Sequence, residues 1–124
     1  MNQMFNELIE KVRALNLPAG TFAIFGSGPM AVRGLREPND IDLIITKETY
    51  WLFKKRKDEL EKEGIDLWDS WGPGDWDVSS LIKSAEMIDG MPYVTLDHVI
   101  AWKEKNNRPK DIADIKIIKK YLDS

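Results

Sequence analysis

A glycine-bounded apolar run followed by a glycine-rich turn constrains the fold of this chain most. Residues 21–25 are short and nearly continuously apolar, which is typical of a strand buried on both faces. Gly26, Ser27 and Gly28 then predict a sharp turn, with Ser27 or Gly28 capping a helix over residues 29–35. The chain therefore begins its core with a strand, a tight turn and a helix.

Residues 40–45 predict the next strand, because their side chains alternate with a period of two. The two expected faces are Ile41, Leu43 and Ile45, and Asp40, Asp42 and Ile44. Two carboxylates are thus expected side by side on one face of a strand. A strand, helix and strand in this order favour an α/β fold.

The rest of the chain predicts further helices and short strands. They are an N-terminal helix with Phe5, Leu8, Ile9, Val12 and Leu15 as its apolar stripe, a helix over 47–63, a strand over 65–71, a helix over 79–84, a hairpin turning at Asp89-Gly90, a helix over 96–105, and a helix from Pro109 with Ile112, Ile115, Ile118 and Leu122 inside. We therefore expect an α/β (α+β) fold with a small mixed β-sheet flanked by helices, forming a single domain over residues 1–124.

The hydrophobic content and the charge of the chain indicate which partners to expect. Hydrophobic residues at 43% and charged residues at 31% are ordinary for a soluble protein, and no stretch approaches the roughly 18 apolar residues of a membrane span. We expect a cytoplasmic protein without a membrane partner. The net charge is −3, but residues 101–124 carry +3, so an acidic body meets a basic C-terminal segment. This distribution is compatible with a metal site facing a phosphate-binding wall.

The paired carboxylates and the glycine turn together predict a chemistry. Asp40 and Asp42 repel each other at neutral pH unless a cation lies between them, and Mg²⁺ is usually held by one or two carboxylates plus substrate phosphates. The turn of Gly26, Ser27 and Gly28 offers exposed N–H groups and no side chains that would block a phosphate. The sequence predicts a site for a divalent metal and a nucleoside triphosphate.

The same residues carry a resemblance to a known family. Gly26-Ser27 followed by Asp40-Ile41-Asp42 resembles the signature of the DNA polymerase β-like nucleotidyltransferase superfamily. The intervening segment is similar to the small bacterial and archaeal branch that includes abortive-infection toxin nucleotidyltransferases, through Ala31, Gly34, Leu35 and Arg36. A second segment is similar to that branch's Lys … Arg-x-Lys-Asp … Asp motif, through Lys103, Arg108, Lys110, Asp111 and Asp114.

The resemblance implies a nucleotidyltransferase fold that transfers a nucleoside monophosphate from an NTP to a hydroxyl and releases pyrophosphate, with two Mg²⁺ ions. It implies that Asp40 and Asp42 hold the metals and that Ser27 and nearby N–H groups hold phosphates. Lys103, Arg108 and Lys110 would then bind nucleotide, pyrophosphate or an RNA end. The acceptor is an RNA, a protein or a small molecule.

The superfamily also implies a third metal-binding and catalytic carboxylate on a neighbouring strand. Strand parity makes Asp66 the candidate, and a one-residue shift in register would exchange it for Asp69. Two other functions remain open: a catalytically degenerate nucleotide-binding module, and a toxin–antitoxin component acting through a protein partner.

Several polar and aromatic residues favour structural roles. At least one of Asp111 and Asp114 is expected to stabilise a helix N-terminus, Asp75 and Asp77 are expected as caps, and His98 as a capping or surface residue. Most of the five tryptophans are expected in the core, with a cluster around the cleft formed by Trp68, Trp71 and Trp76.

Overall fold

The computed structural model describes residues 3–38, 40–73 and 76–124. Its centre is a five-stranded mixed sheet, and its strands are β1 (Phe22–Phe25), β2 (Ile41–Ile45), β3 (Ile65–Trp68), β4 (Glu86–Ile88) and β5 (Met91–Tyr93). The strand order is β3-β2-β1-β5-β4. The pairs β1–β2 and β4–β5 are antiparallel, whereas β2–β3 and β1–β5 are parallel. The predicted α/β fold with a small mixed sheet is confirmed.

Helices cover both faces of the sheet. They are α1 (Gln3–Ala14), α2 (Gly28–Ala31), α3 (Lys47–Phe53), α4 (Lys57–Lys62), α5 (Val78–Lys83), α6 (Leu96–Asn106) and α7 (Pro109–Leu122), with a 3₁₀ turn over Lys54–Arg56. One core lies between the sheet and helices α1 and α4, and the other lies between the sheet and helices α5, α6 and α7. Within the described ranges, no helix is long and apolar enough to cross a membrane.

The predicted parity of β2 is confirmed by these two cores. Ile41, Leu43 and Ile45 pack into the first core together with the apolar stripe of α1, whereas Ile44 packs into the second. Asp42 therefore lies on the α5–α7 side of the sheet, since side chains alternate along a strand. The alternation of side chains along β2 therefore places the Asp42 carboxylate on the same side of the sheet as the helices that carry the basic C-terminal segment.

Two predicted helices differ in length from the observed ones. The helix after the glycine turn ends at Ala31 because Gly34 takes a positive φ of 73° and Leu35 N donates to Met30 O at 3.0 Å, which terminates a helix in the Schellman manner. The helix predicted over 47–63 is interrupted by the 3₁₀ turn, because the ψ angles of Phe53 and Arg56 are −4° and 2° and depart from the α-helical value of about −42°. Gly64 follows its end with φ +90°, as expected.

The inner side of α7 differs from the prediction. Ile112 and Leu122 were expected inside but are 44% and 49% exposed, whereas Ile118 is buried as expected. Asp111 and Asp114 are buried in their place. The reason is long-range: a buried cation from α6, described below, faces α7 and binds these carboxylates.

Candidate functional site

The candidate site lies where β1 ends and where β2 and β3 begin. The sheet register pairs Phe25 with Asp42 and Asp42 with Asp66. Because paired residues on neighbouring strands project from the same face, the carboxylates of Asp42 and Asp66 lie side by side. They share a depression of about 180 Å³ that is lined by Gly26, Ser27, Arg36, Asp40, Asp42, Asp66, Trp102, Lys103 and Lys110.

Gly26 makes the close approach of the turn and the carboxylate possible. Its φ is +66°, a conformation that costs other residues energy, and a Cβ atom built on it would overlap Oδ2 of Asp42. The backbone conformation and the lack of room for a Cβ atom therefore both require a glycine at position 26. Gly28 is buried beneath the turn, where a Cβ would overlap Ile24, so it packs the turn against β1 and does not line the depression.

Ser27 lies at the N-cap of α2, but its side chain makes no capping hydrogen bond. Its hydroxyl donates instead to the backbone carbonyl of Asp40 at 3.4 Å. This contact joins the glycine turn to the segment entering β2. The side chain of Asp40 is exposed at the rim of the depression, whereas that of Asp42 is half-buried within it.

Asp42 carries an unfavourable charge at neutral pH. Burial, followed by the negative charges of Asp66 and Asp40, raises its pKa from 3.8 to about 6, although a hydrogen bond from Trp68 opposes the rise. That bond runs from Nε1 of Trp68 to Oδ1 of Asp42 at 3.0 Å. Burial, and then the charge of Asp40, also raises the pKa of Asp66. A cation between these carboxylates would relieve the repulsion.

Oxygen ligands from two strands fit Mg²⁺ in the mode that uses one or two carboxylates and substrate phosphates. Within the three described ranges, no group of three or more carboxylate or histidine side chains is gathered closely enough to hold a metal alone. Asp42 and Asp66 are the pair best placed for the metal, with Asp40 at the rim. Phosphate oxygens would have to supply further ligands.

The opposite wall of the depression is cationic, and Lys103 is its buried member. It is only 4% exposed, and its ammonium donates to Oδ2 of Asp114 at 3.0 Å and lies 3.6 Å from Oδ1 of Asp111. Arg36 donates to the same Asp114 oxygen at 2.6 Å, which links the loop before β2 to α7. Lys110 is exposed on this wall.

Arg36 is a site residue that did not stand out in the sequence except as part of the family resemblance. Its Nε atom is buried and has no hydrogen-bond partner within the described part of the chain. A donor of this kind beside a polar depression is available to an anion. The available sequence signal was a basic side chain four residues before Asp40.

Arg108 is placed outside the depression. Its guanidinium donates to both carboxylate oxygens of Asp111, at 2.6 and 3.1 Å, at the start of α7. Burial alone would raise the pKa of Asp111, but the hydrogen bonds and charge of Arg108, together with the charge of Lys103, lower it. Asp111 therefore stabilises the helix N-terminus, as expected for one of the two acids.

An aromatic wall stands beside the carboxylates. Trp71 stacks on Phe25 with 4.7 Å between ring centroids and lies 5.3 Å from Trp102 and 5.8 Å from Trp68. The cluster thus contains Trp68 and Trp71 as predicted. Trp102 takes the third place and lines the depression.

The third tryptophan predicted for this cluster, Trp76, lies elsewhere. It packs against His98 with 6.2 Å between ring centroids and lines a separate depression together with Asp69 and Asp77. Asp77 caps α5, as expected, by accepting a hydrogen bond from the backbone of Ser79. Asp75, expected as a second cap, falls outside the described residues.

The register therefore brings Asp66, not Asp69, to Asp42. Of the nucleotide-binding residues predicted from the sequence, Gly26, Ser27, Lys103 and Lys110 line the depression, whereas Gly28 and Arg108 do not. Comparisons with protein-family models, curated proteins and solved structures gave no match.

Proposed function

We propose that this chain is a Mg²⁺-dependent nucleotidyltransferase, which transfers a nucleoside monophosphate from an NTP to a hydroxyl acceptor. The observation that carries the proposal is the pairing of Asp42 with Asp66 on adjacent strands, against a turn whose Gly26 admits no side chain. Carboxylates would hold the cation on one side of the depression, and the glycine turn would accommodate phosphates on the other.

The cationic wall suits the triphosphate. Lys103 is held by two carboxylates and Lys110 is exposed, and both line the space where negative charge would accumulate. Arg36 adds a donor whose Nε is not engaged by any described residue. These groups would stabilise the charge on the pyrophosphate as it leaves, since preorganised cations act most strongly in partly buried sites.

Asp66 is the proposed general base. In the reaction, the acceptor oxygen forms a bond to the α-phosphorus, the bond from that phosphorus to the pyrophosphate oxygen breaks, and the acceptor proton passes to the Asp66 carboxylate. The Asp66 carboxylate has two oxygens, so one can bind the cation that it shares with Asp42 while the other receives the acceptor proton. When bound, Mg²⁺ would offset the negative charge that develops on the phosphate oxygens.

A second candidate function is nucleotide binding without turnover. The hydrogen bond from Trp68 engages Oδ1 of Asp42 and competes with a metal for that oxygen. A site in which Trp68 keeps this bond would hold a nucleotide mainly through its cationic wall.

Labelled nucleoside triphosphates with Mg²⁺ test the proposal. We expect the wild-type protein to bind nucleotide and to release pyrophosphate when a hydroxyl acceptor is supplied. Asp66→Ala should lower the turnover rate by about 10²- to 10⁴-fold, as for loss of a general base, with nucleotide binding retained. Asp69→Ala is the matched control, because Asp69 lies in a separate depression, and it should keep full activity.

The outcomes separate the candidates. Saturable binding with no pyrophosphate release favours the binding module. Full turnover in Asp66→Ala would remove Asp66 from the base role, and absence of any Mg²⁺-dependent nucleotide binding would overturn the proposal as a whole.

A further inference from the structure

The outer side of α3 presents two large apolar side chains to solvent. Trp51 is 70% exposed and Leu52 is 77% exposed, which is unusual for residues of this size. The expectation that most tryptophans lie in the core holds only in part, because Trp51 and Trp68 are exposed. The other three, Trp71, Trp76 and Trp102, are partly buried against the second core. We define the α3 ridge as Trp51, Leu52, Lys54, Lys55 and Arg56.

The α3 ridge is a second basic segment of an acidic chain, besides residues 101–124. Residues 47–57 contain five basic residues and one acidic residue, a net charge of +4, so the total of −3 leaves −7 for the remainder. Lys54, Lys55 and Arg56 are all exposed. Arg56 lies 3.7 Å from Glu59, so Lys54 and Lys55 carry the charge complementarity to an anionic partner.

A lysine ammonium lies over an indole ring both on the ridge and beside the candidate site. The ammonium of Lys54 lies 4.0 Å from the centroid of the Trp51 ring. Three residues later, the ammonium of Lys57 lies 6.0 Å from the centroid of Trp68, and Trp68 donates to Asp42. One pair therefore lies on the ridge, and the other lies beside the tryptophan that contacts Asp42.

We propose that the α3 ridge binds a single-stranded polynucleotide, with the Trp51 ring stacking on a base and Lys54 and Lys55 contacting phosphates. Aromatic faces interleaved with cations are the arrangement by which proteins hold single strands without reading their sequence. We expect the bound strand to run toward Asp42 and to present its terminal hydroxyl there as the acceptor. This part of the inference rests on the proposed function.

An anionic membrane surface is a weaker match for the same ridge. An interfacial helix needs a continuous apolar face, but α3 has seven residues, and Tyr50 and Phe53 pack against the core of the protein. Only Trp51 and Leu52 remain for a bilayer. Two side chains and a short basic segment suit a flexible polyanion better.

The test measures the binding of a fluorescent single-stranded oligonucleotide by anisotropy, without nucleoside triphosphate. Trp51→Ala should weaken the affinity by about five- to hundredfold, the range for loss of one stacked base. The matched control is Tyr121→Ala, which removes an exposed aromatic ring from α7 and should leave the affinity unchanged.

A second pair of variants tests the charges. Lys54→Glu with Lys55→Glu should lower the affinity and reduce the slope of log affinity against log salt by about 1.4, as expected for two lost phosphate contacts on a single strand. Lys119→Glu with Lys120→Glu changes the net charge equally, at exposed positions on α7. This control should lower the affinity and the salt slope much less than the ridge variant does.

Asp42→Asn separates this inference from the proposed function, since it alters the depression and leaves the ridge intact. It should retain oligonucleotide binding while losing Mg²⁺-dependent nucleotide binding. Oligonucleotide binding that is unaffected by both ridge variants would overturn the inference. Binding to vesicles of anionic phospholipid but not to the oligonucleotide would also overturn it. Binding to neither of them would overturn it as well.

Discussion

Replacing Asp42 by asparagine is expected to stabilise the protein at neutral pH although it removes the central carboxylate of the site. Burial and neighbouring charges raise the pKa of Asp42 from 3.8 to about 6 in the folded protein. Between these two values the folded state keeps a proton that the unfolded state has lost. Stability therefore falls as the pH rises through this window, and the loss is complete above about pH 6.

The magnitude follows from the two pKa values. Each unit corresponds to about 1.4 kcal/mol, so the ionised Asp42 side chain costs about 3 kcal/mol at pH 7 and about 0.5 kcal/mol at pH 4. Asparagine carries no charge, and its side-chain oxygen can still accept the hydrogen bond that Nε1 of Trp68 donates to Asp42. Asp42→Asn should therefore recover most of this free energy.

Urea-induced unfolding in the presence of a chelator measures the effect. At pH 7 we expect Asp42→Asn to be more stable than the wild type by up to about 3 kcal/mol, and at pH 4 the difference should nearly vanish. Asp69→Asn is the control, and as a surface change away from the site it should stay within about 0.5 kcal/mol of the wild type. An Asp42→Asn protein that is equal to or less stable than the wild type at pH 7 would refute the reasoning.

Three further substitutions test other contacts of the site. Both Gly26 and Gly34 have positive φ, but a Cβ at Gly34 meets no described atom within 4 Å whereas one at Gly26 overlaps Asp42. Gly26→Ala should therefore lose about 1–3 kcal/mol more stability than Gly34→Ala, the range for overpacking, and should also lose Mg²⁺-dependent nucleotide binding. Equal losses measured by urea unfolding would contradict this. Trp68→Phe removes a hydrogen bond that lowers the pKa of Asp42, so the pH midpoint of Mg²⁺ binding, followed by calorimetry, should move upward, and an unchanged midpoint would argue against the contact. Lys103→Met leaves a pair of buried carboxylates with one cation fewer and should destabilise the protein by about 3 kcal/mol at pH 7, whereas a change below about 0.5 kcal/mol in denaturant unfolding would mean that Lys103 is not structurally engaged.

The parity of β2 could be predicted from the sequence because a strand has a period of two and this strand alternates two aspartates with isoleucine and leucine. The same reasoning could not choose between Asp66 and Asp69. A strand candidate of seven residues permits either register, and the pairing of Ile41 with Ile65 decides it. The choice therefore depends on a contact between segments distant in sequence.

The inner side of α7 could not be predicted for a related reason. The isoleucines at 112, 115 and 118 have helical spacing, so local pattern favours them as the buried side. The buried ammonium of Lys103 requires carboxylate partners, and it draws Asp111 and Asp114 inward instead. The spacing of Lys103, Asp111 and Asp114 can be seen in the sequence. Their burial cannot, because it depends on how α6 packs against α7.

In the proposed function, Asp42 and Asp66 bind one divalent cation together with a triphosphate in the depression beside Gly26. A crystal soaked with Mn²⁺ and a non-hydrolysable nucleoside triphosphate tests it by anomalous scattering. We predict a peak at about 2.1 Å from a carboxylate oxygen of each aspartate, with phosphate density against the Gly26-Ser27 turn. Nucleotide density without a metal peak between these carboxylates, or a peak in the separate depression at Asp69, would contradict the account.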